Sequence, residues 1–66
     1  MKIGKNIRKL RKTLRYTQLQ FAELLLISQS AISQYEQDVM LPNLKVVNKL
    51  VKLAKQNNLS IKLVDD

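Results

Sequence analysis

Cysteine and histidine are both absent from this chain of 66 residues. Without cysteine there is no disulfide, no thiolate nucleophile and no thiolate metal ligand, a composition that fits a reducing compartment. Without histidine, and with five acidic residues of which two are Asp65 and Asp66, neither a catalytic base nor a metal cluster is easily assembled. The expectation is a protein that is not an enzyme and carries no cofactor or metal. Long apolar runs are missing too. The longest, Phe21 to Ile27, is interrupted by Glu23, far short of the roughly 20 residues a bilayer span takes. The basic start is not followed by the apolar segment of a secretory signal. These absences point to a soluble, cytoplasmic protein. At this length one domain is expected, and a chain of this size buries only about 60% of its unfolded surface, which makes a partner subunit the natural source of further stability.

What is present in excess is positive charge. The net charge is +7, with Lys2, Lys5, Arg8, Lys9, Arg11, Lys12 and Arg15 all before Tyr16, while five lysines and five acids balance in the remainder. Ile3, Ile7, Leu10 and Leu14 recur between these cations at helical spacing, so the segment predicts an amphipathic helix with a basic outer face. A solvated surface is the plain reading of that face. Phosphate contact is the sharper one, because counterion release makes clustered Lys and Arg a source of affinity for nucleic acid. A membrane-surface helix fits less well, since the apolar stripe is needed to close the core and carries no aromatic anchor.

The stretch from Thr17 to Glu36 organises the rest. Thr17 followed three residues later by Gln20 has capping-box spacing and starts a helix near Gln18. Phe21, Ala22, Leu24 and Leu25 are spaced to face inward. At Ser28 the pattern restarts with a second N-cap, and Ala31, Ile32 and Tyr35 are spaced to pack inward. Gln29, Ser30, Ser33 and Gln34 then face out. A surface made for solubility usually carries Lys and Glu, whereas short uncharged donors and acceptors suit the edges of base pairs.

Thr17, Gln18, Ala22, Ile27, Ser28, Ile32, Ser33 and Glu36 stand in register with the helix-turn-helix pattern of lambda-repressor-like (XRE, Cro/CI-type) DNA-binding domains, which the chain resembles over almost its whole length. The likeness implies an all-α bundle of four to five helices. It also implies an ion pair between Arg11 and Glu36, tying the first helix to the end of the recognition helix. Where the pattern has its turn glycine this chain has Leu26, so either the turn is rebuilt or burial of Leu26 absorbs the cost. Arg15 likewise replaces a glycine common before the second helix. Gln29, Ser30, Ser33 and Gln34 form the expected base-reading set, in the part of the helix that enters the major groove. Gln18, at a helix N-terminus that favours an anion, is the expected phosphate contact, joined by Lys5, Arg15, Asn43 and Lys45.

After Glu36 the helical pattern breaks, and Pro42 with Asn43 as N-cap opens another helix from Leu44 to about Gln56. Val39, Met40 and Leu41 suggest burial against the core or a partner. In the helix, Leu44, Val47, Leu50, Val51 and Ala54 are expected inward and Lys45, Lys49, Lys52 and Lys55 outward. Asn57 and Asn58 stop it. Leu59, Ile61 and Leu63 then alternate with polar residues as in a strand. A lone strand needs a partner, and the same strand of a second subunit is the simplest one, which predicts a homodimer. Residues 1–57 would form the DNA-binding domain and 58–66 the dimerisation strand and tail. A helix-turn-helix domain with such a tail is similar to the HipB-type antitoxins. That resemblance implies autorepression through a palindromic operator and a HipA-type serine/threonine kinase toxin as partner. Two other accounts stay open: a phage or mobile-element Cro/CI-type repressor, and a protein-binding adaptor that no longer touches DNA.

Overall fold

Four helices carry the regular structure of residues 3–63, the part of the chain that the computed structural model describes: α1 Ile3–Thr13, α2 Gln18–Leu25, α3 Gln29–Glu36 and α4 Leu44–Gln56. Lys2 of the basic run and Val64 to Asp66 of the tail lie outside the described residues. Side-chain caps set three of the helix starts. Thr17 Oγ1 accepts from the Gln20 N–H at 3.1 Å while Gln20 Oε1 accepts from the Thr17 N–H at 3.0 Å. Ser28 Oγ accepts from the Ala31 N–H and Asn43 Oδ1 from the Val46 N–H, both at 3.0 Å. Each bond satisfies a backbone donor that the first helical turn leaves without a partner.

The helix ends share one device. Arg15, Leu26, Asp38 and Asn58 all have positive φ, between 56° and 64°. Each follows a helix whose last carbonyls are closed by a crossed pair of bonds. Tyr16 N–H donates to Arg11 O and Arg15 N–H to Lys12 O; Ile27 to Ala22 and Leu26 to Glu23; Val39 to Gln34 and Asp38 to Tyr35; Leu59 to Ala54 and Asn58 to Lys55. This is the Schellman arrangement, in which a left-handed residue usually filled by glycine reverses the chain. The chain has one glycine and places it elsewhere. Asp and Asn tolerate the left-handed region, but a leucine there costs about 1–2 kcal/mol. Neither expectation for Leu26 holds. The turn keeps its left-handed geometry at φ 59° and ψ 42°, and Leu26 is 83% exposed, so burial returns nothing.

The core is assembled from Ile7 and Leu10 of α1, Phe21, Ala22 and Leu25 of α2, Ile32 and Tyr35 of α3, and Val46, Leu50 and Ala54 of α4. Tyr16, half-buried, lays its ring 6.1 Å from that of Phe21. Two inward assignments need correction, and two more, Val47 and Val51, are only half-buried and are not among the residues packed against the core. Leu24 is 46% exposed and Leu44 is 75% exposed, while Val46 takes the buried place on α4. At about 100° per residue, Val46, Leu50, Leu53 and Ala54 lie within one arc and Leu44 falls well outside it. Val39, Met40 and Leu41 are also exposed, so the core is not what covers them.

Among the described residues no strand forms. The segment 59–63 instead lies beside α1, where Asn6 Nδ2 donates to Lys62 O at 2.9 Å. Leu59, Ile61 and Leu63 alternate as the sequence suggests, but they pack against the core of their own chain. The apolar face of this segment therefore has an occupant without any second subunit.

Gly4 marks the closest approach of α1 to α3. A Cβ there would overlap the Tyr35 carbonyl oxygen and stand 2.6 Å from that of Glu36. Its N–H donates to Asp38 Oδ1 at 2.9 Å, setting a carboxylate at the positive end of α1. Gly4→Ala gains helix propensity of about 1 kcal/mol, yet it must push two backbones apart. A net destabilisation of about 2 kcal/mol or more is expected, read as a lower urea midpoint at unchanged slope.

Candidate nucleic-acid interface

On α3 the residues from Gln29 to Gln34 carry no charge, and Gln29, Ser30 and Gln34 are exposed with Ser33 half-exposed. Helical geometry places these four within an arc of about 140°. The opposite arc holds Ile32 and Tyr35, both buried. The outward face is thus an uninterrupted set of amides and hydroxyls, fixed at its start by the Ser28 cap and held from behind by two core residues.

Gln37, beyond the recognised pattern, falls in the middle of the same arc. Its Nε2 donates to Ser33 Oγ at 2.7 Å. That bond occupies a lone pair of the hydroxyl and leaves the Ser33 O–H free to donate outward, while the Gln37 carbonyl oxygen remains an acceptor. The i,i+4 spacing from Ser33 was the available sequence signal.

At the back of α3 the structure brings Arg11, Glu36 and Gln18 together. Arg11 Nε donates to Glu36 Oε2 at 2.7 Å and its Nη2 to Glu36 Oε1 at 3.1 Å, with the two side chains 10% and 4% exposed. Arg11 Nη1 donates to the Tyr16 carbonyl at 2.8 Å. Gln18 Nε2 reaches Glu36 Oε1 at 3.3 Å. The Gln18 amide is therefore oriented by a buried carboxylate. Its second N–H and its carbonyl oxygen have no partner among the described residues, and neither do the backbone N–H groups of Gln18 and Leu19, whereas the Gln20 N–H is taken by the Thr17 cap.

Arg11 is thereby withdrawn from the basic surface. Lys5, Arg8, Lys9 and Lys12 remain exposed on α1, within an arc of about 100°. Arg15, exposed and left-handed, stands two residues before the Thr17 cap of α2. Asn43 and Lys45 are exposed at the start of α4, where the Asn43 carbonyl oxygen is committed to capping and its Nδ2 is left over. Among the described residues no group of acidic side chains is arranged to hold a metal ion, and no helix is long and apolar enough to cross a membrane.

Residues 4–63 match the family model described as a helix-turn-helix domain. No curated protein matches the chain.

Proposed function

Because the chain belongs to the helix-turn-helix domain family, we propose that it is a sequence-specific DNA-binding repressor that occupies a palindromic operator as a homodimer. The observation that carries this reading is the uncharged face of α3, whose Gln29, Ser30, Ser33 and Gln34 present amides and hydroxyls to solvent. A glutamine bonds bidentately to adenine N6 and N7, so Gln29 and Gln34 favour A·T pairs in each half-site. Gln18, Lys5, Arg15, Asn43 and Lys45 supply phosphate contacts that set register without reading sequence. Arg11 and Glu36 keep α1 and α3 in fixed relation. Repression follows from excluding polymerase.

Dimerisation is assigned to 58–66, with 1–57 as the DNA-binding unit. Support comes from the backbone of Ile61 and Leu63: neither N–H has an acceptor among the described residues. An edge of this kind pairs readily with its own copy. The expected result is slow amide exchange at Ile61 and Leu63 that becomes faster on dilution. Fast exchange at every concentration places the interface elsewhere.

The biological role we favour is that of a HipB-type antitoxin that represses its own operon and binds a HipA-type serine/threonine kinase toxin. The similarity of the tail supports it, and co-purification with such a kinase tests it. A phage-type repressor would share the DNA chemistry and lack the kinase complex.

Selection from a random duplex library tests the central reading. An inverted repeat with half-sites about 34–36 Å apart, or a multiple of that, is expected. Recovery of no motif, with equal and steeply salt-sensitive binding to all duplexes, would mean that the basic helix alone drives binding.

A further inference from the structure

Between the C-terminal end of α2 and the outer side of α4 runs a trough of about 160 Å³, lined by Leu24, Leu25, Lys49, Lys52, Leu53 and Gln56. None of these belongs to the α3 face or to the phosphate set. Leu24 is 46% exposed, and along the chain the next residue but one, Leu26, is 83% exposed in its left-handed conformation. Two neighbouring leucines thus meet water, one of them at a position where a glycine would relieve strain. Arg15, Asp38 and Asn58 end their helices in the same conformation, but of the four only Leu26 exposes an apolar side chain there, which points to a contact outside the chain.

The rim has one sign of charge. Lys49 Nζ donates to the Leu25 carbonyl at 2.7 Å, which anchors the ammonium at the lip and uses one of its three donors. Lys52 is exposed and has no partner among the described residues. No acid lines the trough.

We propose that this trough docks an acidic amphipathic segment of a partner protein, which seats an apolar side chain between Leu24 and Leu53 and sets carboxylates against Lys49 and Lys52. Leu26, exposed two residues on from Leu24 and outside the lining itself, is assigned to the same contact. Nucleic acid is a poor match, because phosphates gain nothing from leucine walls. An acidic helix with leucines one turn apart supplies both the apolar filling and the opposite charge, as in helix-in-groove recognition.

The test uses the intact, isotope-labelled protein and a synthetic helical peptide bearing leucines at i and i+4 flanked by glutamates. Titration is expected to shift the amide resonances of Leu24, Leu26, Lys49, Lys52 and Leu53. Lys52→Glu and Leu24→Ser, both at exposed positions, should each weaken binding about tenfold. Leu26→Gly should raise the melting temperature and still weaken the peptide, a split that a purely structural leucine does not give. The same peptide with lysine in place of glutamate should not bind. Four results would overturn the proposal: no shifts at millimolar peptide, shifts spread over Lys5, Arg8, Lys9 and Lys12, the same trough shifts with an unrelated DNA duplex, or trough shifts that appear on concentrating the protein alone. The last two would hand the trough to phosphate and to a second copy, respectively.

Discussion

Replacing Gln29 and Gln34 together with alanine is expected to lower affinity for the selected operator by about two to four orders of magnitude while leaving affinity for an unrelated duplex nearly unchanged. Each well-placed bidentate amide contributes about 1–3 kcal/mol of discrimination, and two on separate turns of one helix add approximately. Among the described residues neither side chain makes a hydrogen bond, and both are exposed. The Ser28 cap, the Ile32 and Tyr35 contacts and the Glu36 pair all survive the change. Far-ultraviolet dichroism should therefore match the parent protein. Because no phosphate contact is removed, the dependence of log K on log salt should keep its slope. Equal losses on both duplexes would show that the variant has lost its fold or its phosphate grip. No loss on either would move base reading away from α3.

That the double substitution can be designed at all reflects how much of this surface is legible in the sequence. Caps at Thr17, Ser28 and Asn43 fixed the helix starts, because a hydroxyl or amide before an apolar repeat has one efficient use. The helix ends were harder. Their usual marker is glycine, and here Arg15, Leu26, Asp38 and Asn58 do that work, so Asp38 in particular gave no signal of its double role as helix terminator and partner to Gly4. Periodicity located the apolar stripe of α4 but not its centre. Leu44, Val46, Val47, Leu50, Val51, Leu53 and Ala54 cover about half the helix circumference, and only packing decides which part of so wide a stripe turns inward. Leu24 stands at the margin of a similar stripe on α2, one residue's rotation away from Leu25, and is left to solvent. In the tail Leu59, Ile61 and Leu63 do alternate with exposed Ser60 and Lys62, but among the described residues no strand results. The tail's apolar side turned to its own core because the flank of α1, at Asn6 and Leu10, was near enough to receive it.

Glu36→Ala is expected to produce the largest loss of stability of any single change outside the apolar core. The carboxylate accepts from Arg11 Nε and Nη2 and from Gln18 Nε2. Without it the guanidinium, on a residue 8% exposed, keeps only the Tyr16 carbonyl. Breaking a buried pair by removing one partner costs about 3–5 kcal/mol, most of it the uncompensated charge. A chain of this length has a total stability of only about 3–10 kcal/mol, so the variant should be largely unfolded at 37 °C by dichroism. The cause is separable from loss of contact. Arg11→Met combined with Glu36→Leu removes both charges and should recover most of the stability, as apolar replacements of buried pairs do. It should not recover operator affinity, because the Gln18 amide then has no carboxylate to orient it at the start of α2. Restored folding with weakened DNA binding would separate the two uses of Glu36, whereas a melting temperature for Glu36→Ala within a few degrees of the parent would show that the pair is held too loosely to serve either.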